Sequence, residues 1–254
     1  MGLSFDTPLA DPGLVRVRRE PGVAWIEMVD LAGNNAFSPR FVRALLAALE
    51  EVEATRDVQV AILTGLPDIF CTGASVEALR AIQSGELPST ELVLGRRLMG
   101  LRVPVIAAAE GHAIGGGFAL LLAADLTVLA TQSRYGANFM SLGITPGMGT
   151  TRLLEEVVGK ALAHELLYTG ELVRGAQLQG AGFNAVVDRG EVLERAYALA
   201  WSIADKPNVS VALLKRALAM PRRRAFEEAI TLEAMMHERS FRELDLTRFQ
   251  GGTK

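Results

Sequence analysis

Three consecutive glycines, Gly115-Gly116-Gly117, open an apolar stretch that holds no acid until Asp125. Glycine in a helix costs about 1 kcal/mol per position relative to alanine, so three at a helix start need a reason. Backbone N–H groups in a first helical turn lack intrahelical acceptors, and the positive end of the macrodipole stands behind them. A thioester carbonyl placed there would enolise more readily, because donors would stabilise the developing oxyanion. Such a hole needs a second donor. The run Ile69-Phe70-Cys71-Thr72-Gly73-Ala74-Ser75 offers one, reading as a strand end, a glycine and a helix start. The other reading of the glycines is close helix-to-strand packing, where missing Cβ atoms let backbones touch. The sequence leaves both open. Phosphate-loop readings fail: the only Gly-Lys pair, Gly159-Lys160, is followed by Ala161, and the triple does not complete G-x-G-x-x-G.

Few side chains nearby can move a proton. Of three histidines, His237 falls at apolar helical spacing with Met236 and Phe241; on the residues alone its structural reading leads, and a catalytic role is the alternative. His112 reads as packing or surface, and His164 as solvated. Cys71 reads as a small buried hydrophobe, not a nucleophile. Asn138, beside Phe139, could hydrogen-bond a carboxylate or simply shape a loop.

These groups need a scaffold, and the pattern supplies strand–helix alternation. Residues 15–18 and 23–29 read as a hairpin around Pro21-Gly22. A helix starts at Pro39 after the cap Ser38 and carries Phe41, Leu45, Leu46, Leu49 and Val52 at helical spacing. Strands are expected at 58–64, 105–109, 126–130 and 183–187. Helices are expected at 77–83, 91–101, from the glycines to 124, and at 152–158, 160–168 and 175–180. Three more close the chain, at 191–204, 210–220 and 224–242. The alternation predicts an α/β fold with parallel crossovers. Residues 1–204 form the core, and 205–254 form a helical region that needs a surface to pack on.

Composition narrows the classes. The chain has 254 residues, a net charge of −3, one cysteine and 50% apolar residues, so it can bury a large core. Nothing in the charge points to nucleic acid or a membrane surface. The lone cysteine rules out an internal disulfide, and neither a signal peptide nor a membrane span is read, so a soluble cytoplasmic protein is expected. No metal site is read.

Phe70-Cys71-Thr72-Gly73-Ala74 resembles an element of the crotonase (enoyl-CoA hydratase/isomerase) superfamily. Pro104-Val105-Ile106-Ala107-Ala108, Gly111, the triple glycine and Asp125-Leu126 resemble its second element. Asn35-Ala36-Phe37-Ser38, Leu63-Thr64-Gly65, Pro146-Gly147-x-Gly149 and Leu167-x-Thr169-Gly170 match further features. The resemblance implies a crotonase-like spiral of strand–strand–helix turns and C-terminal helices that build a trimer or hexamer. It implies a thioester carried on phosphopantetheine or CoA, with no other cofactor. By resemblance, the N–H groups of Ala74 and Gly116 form the oxyanion hole. Ala36, Thr72, Gly73, Gly115, Gly117, Ala119, Asn138 and Phe139 bind substrate.

The hydratases of that family carry two glutamates where this chain has Ala119 and Phe139, so hydration lacks its acid and base. The stretches Tyr135–Met140 and 143–150, and Leu232-Glu233-x-x-Met236-His237-Glu238-Arg239-Ser240-Phe241, look like the decarboxylase branch of polyketide β-branching cassettes. That implies decarboxylation of a 3-methylglutaconyl-type thioester on an acyl carrier protein, with His237 returning the proton. Apolar Ala119 and Phe139 would desolvate the leaving carboxylate. The branch places a lysine in the loop after the first oxyanion element. Here the first lysine is Lys160, leaving Arg80, Arg96, Arg97 or Arg102 as substitutes. Arg222-Arg223-Arg224 reads as a solvated helix start, with docking of an acidic carrier as the alternative. Two other functions stay open: isomerisation or hydratase-like chemistry on acyl-CoA, and non-catalytic binding of an acyl carrier.

Overall fold

The computed structural model describes residues 11–86 and 94–244. The chain opens with a hairpin, β1 (Val15–Glu20) antiparallel to β2 (Val23–Met28). Helix α1 (Pro39–Ala54) follows. The Ser38 hydroxyl accepts from Phe41 N at 3.2 Å and proline holds its first turn. Its apolar stripe, from Phe41 to Val52, is buried.

The chain then winds in repeated turns of two strands and a helix. The first comprises β3 (Val60–Thr64), β4 (Ile69–Cys71), α2 (Val76–Gln83) and α3 (Leu94–Gly100). The second is β5 (Val105–Ala109), β6 (His112–Ile114) and α4 (Gly116–Ala123). The third is β7 (Leu126–Ala130), β8 (Arg134–Gly136), then α5 (Thr150–Val158) and α6 (Lys160–Thr169). Strand β9 (Val173–Arg174), a 3₁₀ turn (Gly175–Leu178) and β10 (Ala185–Val187) complete the strands. In each turn the first strand joins a six-stranded sheet, β1-β2-β3-β5-β7-β10, and the second a four-stranded sheet, β4-β6-β8-β9. Inside the large sheet every neighbour from β2 onward is parallel, as crossover connections require.

Both faces of the large sheet are covered, so β3 and β5 are buried along their whole length. Helix α7 (Val192–Ala204) packs Val192, Ala196 and Ala200 on the outer face, against Trp25, Val60, Ile62, Ile106 and Val128. The alternate residues of the same strands, Ala61, Leu63, Val105 and Ala107, face the main core with α1, α4 and α5.

Four sequence expectations are corrected. The last two helices, expected at 210–220 and 224–242, are one helix of 33 residues, α8 (Asn208–Ser240). Proline inside a helix removes one backbone hydrogen bond and costs about 3 kcal/mol, but α8 is anchored on both sides of Pro221. Before it, Lys215 Nζ lies 2.7 and 2.6 Å from the two Asp125 oxygens. After it, Phe226 is fully buried beside Gly95 and Gly149. Arg222-Arg223-Arg224 is therefore mid-helix, not a helix start, and Arg222 is largely covered, donating to Leu122 O. Strands β6 and β8, three residues each, were not read in the sequence. The stretch 175–180, expected as helix, is the short 3₁₀ turn at Gly175–Leu178. His164, expected to be solvated, is half-buried with its ring edge-on to Tyr168. Residues 91–93 of an expected helix, Leu87-Pro88 of the expected mobile loop, and 245–254 of the C-terminal region lie outside the described residues.

Candidate active site

The two glycine-bearing segments meet at the ends of β4 and β6, which pair in parallel. Asn35 bolts this corner together. Its buried amide donates to Met28 O at 3.2 Å and Phe70 O at 2.9 Å, and accepts from Asp30 N at 2.9 Å. It sits in the left-handed region, φ 53°, which asparagine tolerates better than most residues. The chain leaves this turn through Phe37, whose N–H donates to Gly73 O at 2.7 Å.

Gly73 takes φ +82°, and a Cβ built on it would stand 2.8 Å from Gly116 N and 2.9 Å from Ile114 O. The first oxyanion segment is thus in backbone contact with the second. Ala74 follows, just before Ser75, whose hydroxyl caps α2 by accepting from Ala78 N at 3.1 Å. Gly116 is the first residue of α4, and Gly115 N–H is already used on Gly136 O at 2.8 Å. Among the described residues neither Ala74 N–H nor Gly116 N–H has a hydrogen-bond acceptor.

The three glycines serve different ends. Gly115 adopts φ 55°, ψ −118°, a conformation favouring glycine. Gly116 presents bare backbone, since a Cβ there would press on Phe37 Cε2 at 2.9 Å and Met148 Sδ at 3.0 Å. Gly117 packs directly on the carbonyl of Cys71, so here the packing explanation holds.

Ala74 and Gly116 line a cavity of about 80 Å³, together with Thr72, Gly115, Asn138, Phe139 and His237. The structure therefore brings together seven of the residues singled out from sequence. Four others stand back from it. Ala36 and Gly73 shape the backbone around the hole, Gly117 packs on β4, and Ala119 is buried within α4. Of the two apolar replacements, only Phe139 forms cavity wall. Gly147 and six side chains not assigned to the site from sequence complete the wall: Leu79 and Ile82 of α2, Leu142, Ile144, Met148 and Phe241. Nothing in a short apolar loop segment marks it as lining rather than core.

His237 reaches the cavity from α8. Its Nε2 lies 2.9 Å from Thr145 O, a carbonyl that can only accept. The neutral ring therefore carries its proton on Nε2 and its lone pair on Nδ1. Phe241 sits edge-on, 5.3 Å between ring centroids. Burial pushes the imidazole below its ordinary pKa, opposed by the Thr145 carbonyl, the Glu233 charge and the Pro146 carbonyl. Gly147 passes beneath it, and a Cβ there would be 2.5 Å from His237 Cε1.

Among the described residues, Thr72, Asn138 and His237 are the only polar side chains on the cavity wall, with no acid and no fixed cation. The arginines considered as lysine substitutes are elsewhere. Arg96 pairs with Glu227 at 2.6 Å, Arg97 with Glu50 at 2.5 Å, and Arg102 binds Glu53 and Thr55. Arg80 is exposed on α2. A wider open groove, about 810 Å³, lies near the start of α8 between Arg102 and Arg216. It holds no histidine and neither free N–H, so the chemistry is assigned to the smaller cavity.

Other groups fall into structural roles. His112 Nδ1 accepts from Arg134 N at 2.9 Å, and Cys71 is fully buried with its thiol pushed up to about 12. Among the described residues no group of three or more His, Cys, Asp or Glu side chains could hold a metal ion. No described helix is long and apolar enough to cross a membrane.

The sequence matches the enoyl-CoA hydratase/isomerase family over residues 18–253. The bacillaene synthase decarboxylase PksI of Bacillus subtilis is 39% identical over 223 residues, 87% of this chain and 90% of that protein. A structure solved for a dehydratase/decarboxylase enzyme couple involved in polyketide β-branching superposes with TM-score 0.89 at 37% identity, covering 94% of this chain and 98% of that one. The decarboxylase domain of CurF from Lyngbya majuscula superposes with TM-score 0.85 at 36% identity, covering 95% and 100%.

Proposed function

The chain belongs to the enoyl-CoA hydratase/isomerase (crotonase) family, and within it we propose a decarboxylase acting on a 3-methylglutaconyl-type thioester carried on an acyl carrier protein. One observation carries this reading. Among the described residues, two N–H groups without partners and one histidine converge on a cavity with no carboxylate in its wall. The similarity to PksI and to the CurF domain, both named decarboxylases, supports it.

The reaction follows from the wall chemistry. The thioester oxygen accepts from Ala74 N–H and Gly116 N–H. The bond to the carboxylate breaks, carbon dioxide leaves, and the electron pair spreads into the thioester as a dienolate whose oxygen those donors hold. A glutamate here would repel the substrate carboxylate. Apolar Phe139, Leu142 and Ile144 instead strip its water, and the Asn138 amide supplies a hydrogen bond that orients it. The dienolate carbon then takes a proton from His237 as imidazolium, and the imidazole recovers one from water. The cavity is smaller than the roughly 300–1,000 Å³ usual for a whole ligand, so it suits the reacting end of an acyl chain. Phosphopantetheine carries that chain, and the reaction draws on no other cofactor.

The same reading covers assembly. Val209, Leu213, Leu214, Leu218 and Met220 are exposed apolar side chains on α8, which neighbouring copies would cover in a trimer or hexamer. It keeps residues 1–204 as spiral core and 205–254 as the region serving that assembly. A cytoplasmic location fits the single, reduced and buried thiol.

The test is mass spectrometry of a carrier protein loaded with 3-methylglutaconyl pantetheine, before and after incubation. Loss of carbon dioxide that His237→Ala abolishes is the expected result. An unchanged acyl chain sinks the decarboxylase. A shifted double bond on acyl-CoA with no loss of mass would make the chain an isomerase instead.

A further inference from the structure

Glu233 is a buried carboxylate, 2% exposed, and among the described residues it forms no salt bridge. It lies one helical turn before His237 on the same face of α8. Its oxygens accept from Gly149 N at 2.7 Å, Thr151 N at 3.0 Å and Thr151 Oγ1 at 2.8 Å. These donors open α5, which has Gly149 at its N-cap position and no side-chain cap of its own. Glu233 thus supplies from another helix the cap that α5 lacks.

The same contact fixes the turn before α5. Thr150 Oγ1 donates to Gly147 O at 2.6 Å, closing the turn that passes under the His237 ring. Thr145 O holds His237 Nε2, and Thr145 Oγ1 lies 3.1 Å from Ser240 Oγ. Residues 145–151 are therefore tied to α8 at 233, 237 and 240. Met148 within this turn is held at φ +59°, a conformation that persists where its surroundings over-determine it.

From this arrangement we infer that Glu233 is a positioning residue for His237: by capping α5 it sets the 145–149 turn whose carbonyl fixes the imidazole. The inference rests on His237 being the proton donor. No other charged group bears on that imidazole among the described residues. Around the ring lie the Thr145 and Pro146 carbonyls, the Gly147 backbone and the Phe241 ring.

The experiment compares Glu233→Gln and Glu233→Asp with the native chain by two readouts. The first is the titration of His237 followed by NMR of histidine labelled at Cε1. Only three histidines are present, and His237→Ala identifies the signal. The second is kcat and KM for carbon dioxide release. Glu233→Gln should move the His237 midpoint to lower pH and reduce kcat by about tenfold or more with KM nearly unchanged, and Glu233→Asp should restore part of both. A lowered melting temperature with native titration and native kcat would overturn the inference and leave Glu233 a structural cap. If Glu233→Gln does not fold, Thr151→Val removes one of the three bonds and keeps the charge. A several-fold fall in kcat then supports the inference, and native kcat overturns it. Should the native chain release no carbon dioxide, the proposed reaction fails, yet the titration still decides whether Glu233 governs the imidazole.

Discussion

Gly73→Ala tests the oxyanion hole without replacing either donor residue. Two costs can be worked out. The left-handed backbone at φ +82° penalises an L side chain by about 1–2 kcal/mol. The new methyl would stand 2.8 Å from Gly116 N, so one backbone must retreat by roughly half an ångström or more to reach ordinary contact. The methyl also covers the N–H that the thioester oxygen needs. Loss of one oxyanion donor lowers kcat by about 10²–10³-fold, or some 2.7–4 kcal/mol. Gly180→Ala is the matched control, with φ +81° and nothing within 4 Å of its Cβ. Both variants should lose similar stability from the backbone, and Gly73→Ala somewhat more. Only Gly73→Ala should lose turnover, followed as carbon dioxide release from the loaded carrier. A folded Gly73→Ala within about threefold of Gly180→Ala would refute the assignment of Gly116 N–H to the transition state.

Three further outcomes are expected. A proton donor works while charged, and burial lowers the His237 pKa, so kcat should fall as pH rises through a value below the ordinary ~6.5; a flat profile from about pH 5 to 8 would contradict this. Lys215→Met breaks a buried ion pair and should cost about 2–4 kcal/mol in denaturant melts. The double variant with Asp125→Asn should lose less than the two singles summed, and simple additivity would show that the pair is not coupled. The Cys71 thiol, buried and pushed up to about 12, should resist alkylation at neutral pH until denaturant is added; rapid labelling of the native chain would count against its burial.

What the sequence revealed depended on how local the cause was. The Ser38-Pro39 start of α1 is a local signal, and it stands in the structure. Gly73, Ala74 and Gly116 stood out in the sequence because glycines beside a strand end leave a motif, and the structure brings Ala74 and Gly116 to one cavity. Strands β6 and β8 were missed because three residues are too few to show a period of two. The continuity of α8 through Pro221 depends on Lys215 meeting Asp125, ninety positions away in sequence. Ala119 was placed at the wall because its position was read by family resemblance, whereas the first turns of α4 leave it inside the helix bundle. Glu233 carried no local sign of its role, since its partners come from a turn that only the fold brings near.

The length of α8 has a consequence for aim. From the Lys215 anchor to His237 are 22 residues, about 33 Å of helix at 1.5 Å per residue. A tilt of one degree about that anchor swings the imidazole by about 0.6 Å, more than the ~0.5 Å a reacting group tolerates. An anchor at the base of so long a rod, with a proline along the way, cannot by itself sight the tip. The tip therefore has to carry its own bearings, and the contacts at Glu233, His237 and Ser240 sit where a gunsight would be mounted, at the muzzle.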